Sequence, residues 1–185
     1  MDNTQEFPLV TVVTVCFNLF ENNRVNMFEQ CVASVQRQNY PRLEHLVIDG
    51  ASTDATPALL EQYASRGWLR YISEPDSGIY DAMNKGIQLA RGKYIAFLNS
   101  DDFWHGEQAV SHSVHELERT SAAFSYAPRT IVDELGAFVC KESAAIFISF
   151  QCLAIQTSKQ GIHIHIVHHK TDAVTERHFQ HRFRN

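Results

Sequence analysis

Between Leu9 and Trp104 four apolar runs each empty into a polar turn, and the stretches between them carry apolar residues at helical spacing. Leu9–Val15 is rich in β-branched residues and ends near Asn18, and Leu43–Ile48 ends at Asp49. Trp68–Ile72 leads into a polar turn over Ser73–Gly78, and Tyr94–Leu98 runs into Asn99-Ser100-Asp101-Asp102. Phe28, Cys31, Val32 and Val35 predict a helix over about 26–36, while Leu59, Leu60 and Tyr63 mark a second. Ile79, Met83, Ile87 and Ala90 share one face of a third, with Asp81 and Lys85 placed for an i,i+4 pair on another. This alternation predicts an α/β fold, a mostly parallel, Rossmann-like sheet flanked by helices on both faces. Such sheets bind ligands outside the carboxyl ends of their strands. Asn18, Asp49, Asp76 and Asp102 all follow strands, so the topology itself gathers them.

Past Phe103 the pattern weakens. Val110, Val114 and Leu117 predict a fourth helix, Ala122–Tyr126 a short strand, and Thr130–Val139 a hairpin turning at Leu135 and Gly136. Ala144–Ile155 fits either a strand or a buried helix. Ile162, Ile164 and Ile166 alternate with His163 and His165 as in a half-buried strand, and the tail from His168 holds few apolar anchors and is expected to be loosely held. The 185 residues suffice for one substantial core, read here as a ligand-binding region over 1–121 followed by a divergent region over 122–185.

A net charge of −5 argues against a surface built to neutralise nucleic-acid phosphates. Cys16, Cys31, Cys140 and Cys152 fall at no metal-ligand spacing and are expected as reduced thiols. His163 and His165 would share a strand face, but no recognised zinc arrangement surrounds them, and solvent-facing edge positions are the simpler reading. Neither a leader nor an apolar run of membrane-spanning length is present, so the expected location is cytoplasmic, with any peripheral membrane association provided through a partner.

The adjacent carboxylates Asp101 and Asp102 repel one another at a strand mouth unless a cation or a ligand hydroxyl lies between them. A hard divalent ion bridging a carboxylate and a diphosphate fits that chemistry; the alternative is that one of the pair caps the helix starting near Gly106. Asp49 either accepts from a base or ribose or simply forms its turn, and Asp54 is placed to N-cap the second helix. The glycines of a dinucleotide fingerprint are absent.

Three ordered segments sharpen this reading: Asp49-Gly50-Ala51-Ser52-Thr53-Asp54, then Ser73 through Gly86 (SEPDSGIYDAMNKG), then Ala90 through Asp102 (ARGKYIAFLNSDD). Together they resemble the family 2 glycosyltransferases of the GT-A fold. The resemblance implies transfer of a sugar, with inversion, from a UDP- or dTDP-linked donor to a glycan or lipid-linked acceptor in surface polysaccharide biosynthesis, with Mn or Mg. It implies Asn18 in the donor pocket, Asp49 at the base, Asp76 on the nucleotide, Asp101 near the ribose or donor sugar, and Asp102 at the metal, with Ser100 where some members carry another aspartate.

Elsewhere the chain departs from the family pattern. Phe150 stands where a histidine is expected on the acceptor side, and no acidic motif for a catalytic base follows Lys159. The expectation is therefore donor binding with poor transfer or none, a rescue being conceivable through Asp133, Glu134 or Glu142, among which the spacing selects none. A non-catalytic nucleotide-sugar-binding or assembly subunit is the alternative.

Overall fold

The computed structural model describes residues 7–122 and Ser125 in full, and 129–132, 138–142, 169–170 and 173–174 as backbone. Val10–Cys16 forms β1, every residue of it buried. Branching at Cβ suits an extended backbone, and burial on both faces is what a central parallel strand requires. Leu43–Asp49 (β2), Arg70–Ser73 (β3) and Tyr94–Phe97 (β4) complete a wholly parallel sheet of order β3-β2-β1-β4. Between them lie Val25–Gln36 (α1), Thr56–Ser65 (α2) and Ile79–Leu89 (α3), and Ala109–Thr120 (α4) follows.

Both faces are covered, as expected. On one, Val13, Val15, Leu46, Ile48, Ile95 and Phe97 pack against Ala82 and Met83 of α3. On the other, Val10, Val12, Ala96 and Leu98 meet Cys31 and Val35 of α1 and Val110, Val114 and Leu117 of α4. Phe28 and Val32 of α1 pack there with Leu60 and Tyr63 of α2 over Val47. Gly86 lets α3 lie close on the sheet: a Cβ at that position would fall 2.3 Å from Val13 Cγ1.

Some expectations shift. β3 begins at Arg70, leaving Trp68 outside the strand, where it stacks on Tyr63 at 5.6 Å and lies under the Arg66 guanidinium. Ile79 is 51% exposed and so belongs to no core face, because it occupies the first turn of α3, beyond the sheet's cover. Asp81 and Lys85 pair at 3.9 Å, though Lys85 lies closer to Glu74, at 3.1 Å.

A second compact unit holds Arg129–Val132 (β5) and Phe138–Glu142 (β6), antiparallel as the predicted hairpin requires, and the short pair His169–Lys170 (β7) and Ala173–Val174 (β8). The hairpin's turn at Leu135 and Gly136, and the expectations for Ala144–Ile155 and Ile162–Ile166, lie outside the described residues. Strand β7 and its partner fall within the tail expected to be loosely held. Ala122 and Ser125 stand in no strand. Among the described residues no helix is long and apolar enough to cross a membrane.

Candidate functional site

The winding reverses at β1, with β2 and β3 on one side and β4 on the other, and a reversal of this kind opens a crevice at the carboxyl edge of a parallel sheet. Register brings Cys16, Asp49 and Ser73 level along that edge. Asp49 is fully buried, and donors surround its carboxylate. Oδ2 accepts from Ser73 Oγ at 2.6 Å and from the Ser52 amide at 3.1 Å; Oδ1 accepts from Ser52 Oγ and, more weakly, from Cys16 Sγ at 3.8 Å. Burial and then the Asp49 charge push the Cys16 thiol well above its ordinary range, which keeps the S–H available as a donor. The two Ser52 bonds are those of a turn-forming aspartate, whereas Ser73 and Cys16 donate from the neighbouring strands, and the exposed Ser73 is the outermost of the donors.

Two loops are fastened together in front of this edge. Asn18, at φ 46°, donates its amide to Ser52 Oγ at 2.7 Å, accepts from the Thr53 amide at 2.9 Å, and donates its side-chain NH2 to Glu21 at 2.6 Å. Asp54 accepts from the Phe20 and Glu21 amides at 2.8 and 3.0 Å and from the Thr56 amide at 2.8 Å. Partial desolvation raises its pKa, but the Thr56, Glu21 and Phe20 bonds outweigh that and hold the carboxyl below its usual range. The expected N-cap role is thereby corrected: Ala55 occupies the cap position of α2, and Asp54, one residue further out, joins the β1–α1 loop to the β2–α2 loop.

Asp76 belongs to the same wall. Its Oδ1 accepts from the Gly78 amide at 2.8 Å, and its Oδ2 packs so closely over Gly50 that a Cβ there would lie 2.7 Å away. Phe17 borders the same glycine, its Cδ2 3.3 Å from that Cβ position, and presents a ring in a side chain 54% exposed. Phe17 is not among the site residues expected from the sequence. The available signal was an aromatic placed directly after a strand, outside any buried periodicity.

At the end of β4 the chain turns, with the Asp102 amide bonded to the Asn99 carbonyl at 3.0 Å. Asn99 Nδ2 donates to Asp102 Oδ2 at 3.1 Å. A carboxylate only accepts, so this fixes which way the Asn99 amide faces and leaves its buried Oδ1 without a partner among the described residues. Arg24, just ahead of α1, approaches Asp101 at 3.9 Å. The helix-cap alternative for Asp101 and Asp102 fails, because α4 starts at Ala109 with Gln108 at its cap.

A hard divalent cation fits this turn in one manner. Among the described residues no group of three His, Cys, Asp or Glu side chains forms a cage. Mg-like ions bind through one or two carboxylates and complete their shell with substrate phosphates and water. The carboxylate of Asp102 offers the hard oxygen donor such a mode needs.

Comparison with known proteins matches this architecture. The family model described as glycosyl transferase family 2 covers residues 11–177. An uncharacterized glycosyltransferase of Mycobacterium tuberculosis is 40% identical over 111 residues, which is 60% of this chain and 40% of that protein. TuaG of Bacillus subtilis, named as a teichuronic acid biosynthesis glycosyltransferase, is 35% identical over 132 residues, 70% of this chain and 50% of its own length. Among solved structures, the Pyrobaculum calidifontis mannosyltransferase PcManGT in complex with GDP-Man and Mn2+ superposes with a TM-score of 0.59 at 26% identity, over 68% of this chain and 37% of that one. The chain thus spans half or less of the length of these relatives. With the fold, the strand-end carboxylates and the family model in agreement, the chain belongs to glycosyl transferase family 2.

Proposed function

We propose that this chain supplies the donor-binding part of an inverting glycosyltransferase, one that takes a UDP- or dTDP-sugar with Mn or Mg and serves a glycan or lipid-linked acceptor in surface polysaccharide assembly at the cytoplasmic side. The observation that carries the proposal is the convergence of Phe17, Asp49, Asp76, Asp101 and Asp102 on the carboxyl edge where the strand order reverses. The TuaG name and the GDP-Man and Mn2+ complex of PcManGT support the substrate class.

In this reading the base lies against the Phe17 ring, an apolar face that stacks without regard to sequence. Asp49 reaches the base edge by exchanging its outermost donor, the Ser73 hydroxyl, for a base N–H. Asp76 bounds the nucleotide beside Gly50, Asp101 meets a ribose or sugar hydroxyl, and Asn18 acts from behind by holding the 52–53 turn. Asp102 would hold Mn or Mg, which when bound would neutralise charge on the departing diphosphate. Inversion also needs a base to take the acceptor proton, and no described side chain is assigned that role.

Calorimetry with UDP, dTDP and GDP, each with and without Mn, tests the site. A tighter complex with Mn, lost in Asp102→Asn, is the expected result, and equal affinity with and without Mn would rule out the metal role. Product analysis with nucleotide sugars and an acceptor panel separates an enzyme from a binding subunit, which retains donor without consuming it.

A further inference from the structure

The acidic turn at the end of β4 is held from behind by a buried polar chain that crosses the apolar core. The β1–β4 ladder ends at Val13 and Phe97. One residue later the Leu98 carbonyl is taken by Thr14 Oγ1, which donates to it at 2.8 Å. Thr14 has one hydroxyl proton and a carbonyl can only accept, so that proton is committed to Leu98. His45 Nε2, 3.0 Å from the same oxygen, must then be the donor, which makes His45 the Nε2–H tautomer with a bare Nδ1. That Nδ1 is buried and finds no partner among the described residues. Thr14 is wholly buried and His45 nearly so, at 0% and 4% exposure.

Two polar side chains on neighbouring central strands are an expensive way to fill a core. An apolar pair of the same shape would pack without leaving a ring nitrogen unpaired. What the pair adds is direction. The hydroxyl ends the β4 ladder at a set residue, and the imidazole fixes the rotamer of the hydroxyl, so the turn carrying Asn99, Asp101 and Asp102 leaves the sheet at one angle.

We infer that Thr14 and His45 are positioning residues for the cation-binding turn, acting through the Leu98 carbonyl. The inference rests on the donor-site reading above.

The test uses the full chain with Thr14→Val, Thr14→Ser, His45→Leu and His45→Gln. Serine keeps the hydroxyl, and glutamine keeps a donor where Nε2 stands. Amide NMR shifts of residues 99–102 are recorded without ligand, and UDP affinity is measured with and without Mn. Thr14→Val and His45→Leu are expected to move the 99–102 amides and to cut the Mn-dependent gain in affinity about tenfold, leaving metal-free UDP affinity within about twofold; Thr14→Ser and His45→Gln should retain the wild-type values. Unmoved 99–102 amides in folded Thr14→Val and His45→Leu would overturn the inference. So would an equal fall of metal-free and Mn-dependent affinity, which marks a general structural role. Should Thr14→Val fail to fold, His45→Leu against His45→Gln decides by the same criteria. Absence of any Mn-dependent gain in the wild type would sink the donor-site reading instead, while the ligand-free shifts would still judge the positioning role.

Discussion

Adding one methyl group at Gly50 should weaken nucleotide binding with little harm to the fold. A Cβ there would lie 2.7 Å from Asp76 Oδ2 and 3.3 Å from Phe17 Cδ2, against 3.4 Å for the onset of ordinary contact. The Asp76 carboxylate must therefore retreat by several tenths of an ångström. Its other oxygen is tied to the Gly78 amide at 2.8 Å, so retreat strains or breaks that bond. A hydrogen bond of this kind contributes about 1–1.5 kcal/mol net, and about 1.4 kcal/mol corresponds to tenfold in affinity. With the carboxylate displaced from the wall against which the nucleotide is proposed to lie, Gly50→Ala is expected to raise the UDP dissociation constant about tenfold. Since Asp76 is only half-buried and its side chain can swing toward solvent, unfolding stability should fall by no more than that one bond contributes, about 1.5 kcal/mol. Calorimetry beside urea unfolding reads both quantities, and a cycle with Asp76→Ala reads their coupling: once the carboxylate is gone, the added methyl should cost less than it does alone. Wild-type affinity in folded Gly50→Ala would refute the placement of the nucleotide against this wall.

Three further outcomes concern stability. Gly86→Ala should destabilise, although alanine favours helices by about 1 kcal/mol, because its Cβ would overlap Val13 Cγ1 and overpacking costs about 1–3 kcal/mol; urea unfolding of Gly86→Ala alone and with Val13→Ala checks this, the second change relieving the first. Burial pushes His45 down from 6.5 to about 4, so the unfolded chain binds the extra proton between those values, and stability, complete above about pH 6.5, should fall toward pH 4 with a slope of up to about 1.4 kcal/mol per pH unit; pH-dependent unfolding of His45→Gln should lack that component. Asp54→Ala should lose about 1 kcal/mol near neutral pH, a difference that shrinks as acid protonates the wild-type carboxyl below its ordinary 3.8, and matched unfolding curves for the two proteins at neutral and low pH measure it.

The parallel sheet was legible because β1, β2 and β4 are short β-branched or aromatic runs with polar stops, and the convergence of Asp49, Asp76 and Asp102 followed from topology alone. Strand β3 was misplaced by two residues, since Trp68 and Leu69 look like strand residues while the pairing with β2 starts only at Arg70 opposite Leu46. Ile79 satisfied helical spacing but lies in a turn of α3 that projects past the sheet, and spacing carries no information about where a neighbour ends. Asp54 was read correctly as a backbone acceptor and wrongly as a cap, because two of its three donors, Phe20 and Glu21, come from a loop far away in sequence. Thr14 and His45 gave no signal at all: each sits in an apolar strand as an ordinary exception, and only the register of β1 and β2 brings them together.

The reversal of strand order also sets a timetable for the growing chain. β1 finds its first neighbour, β2, after one crossover helix, but its other edge waits for Tyr94–Phe97, two strands later. During that interval Val10–Cys16 offers a row of unpaired amides and carbonyls on a strand with no charged residue to deter another chain from joining it. Strand β4 therefore seals the exposed edge in the same event that brings Asp101 to Arg24, and a nascent chain arrested before Tyr94 would have both the sticky edge and half a crevice.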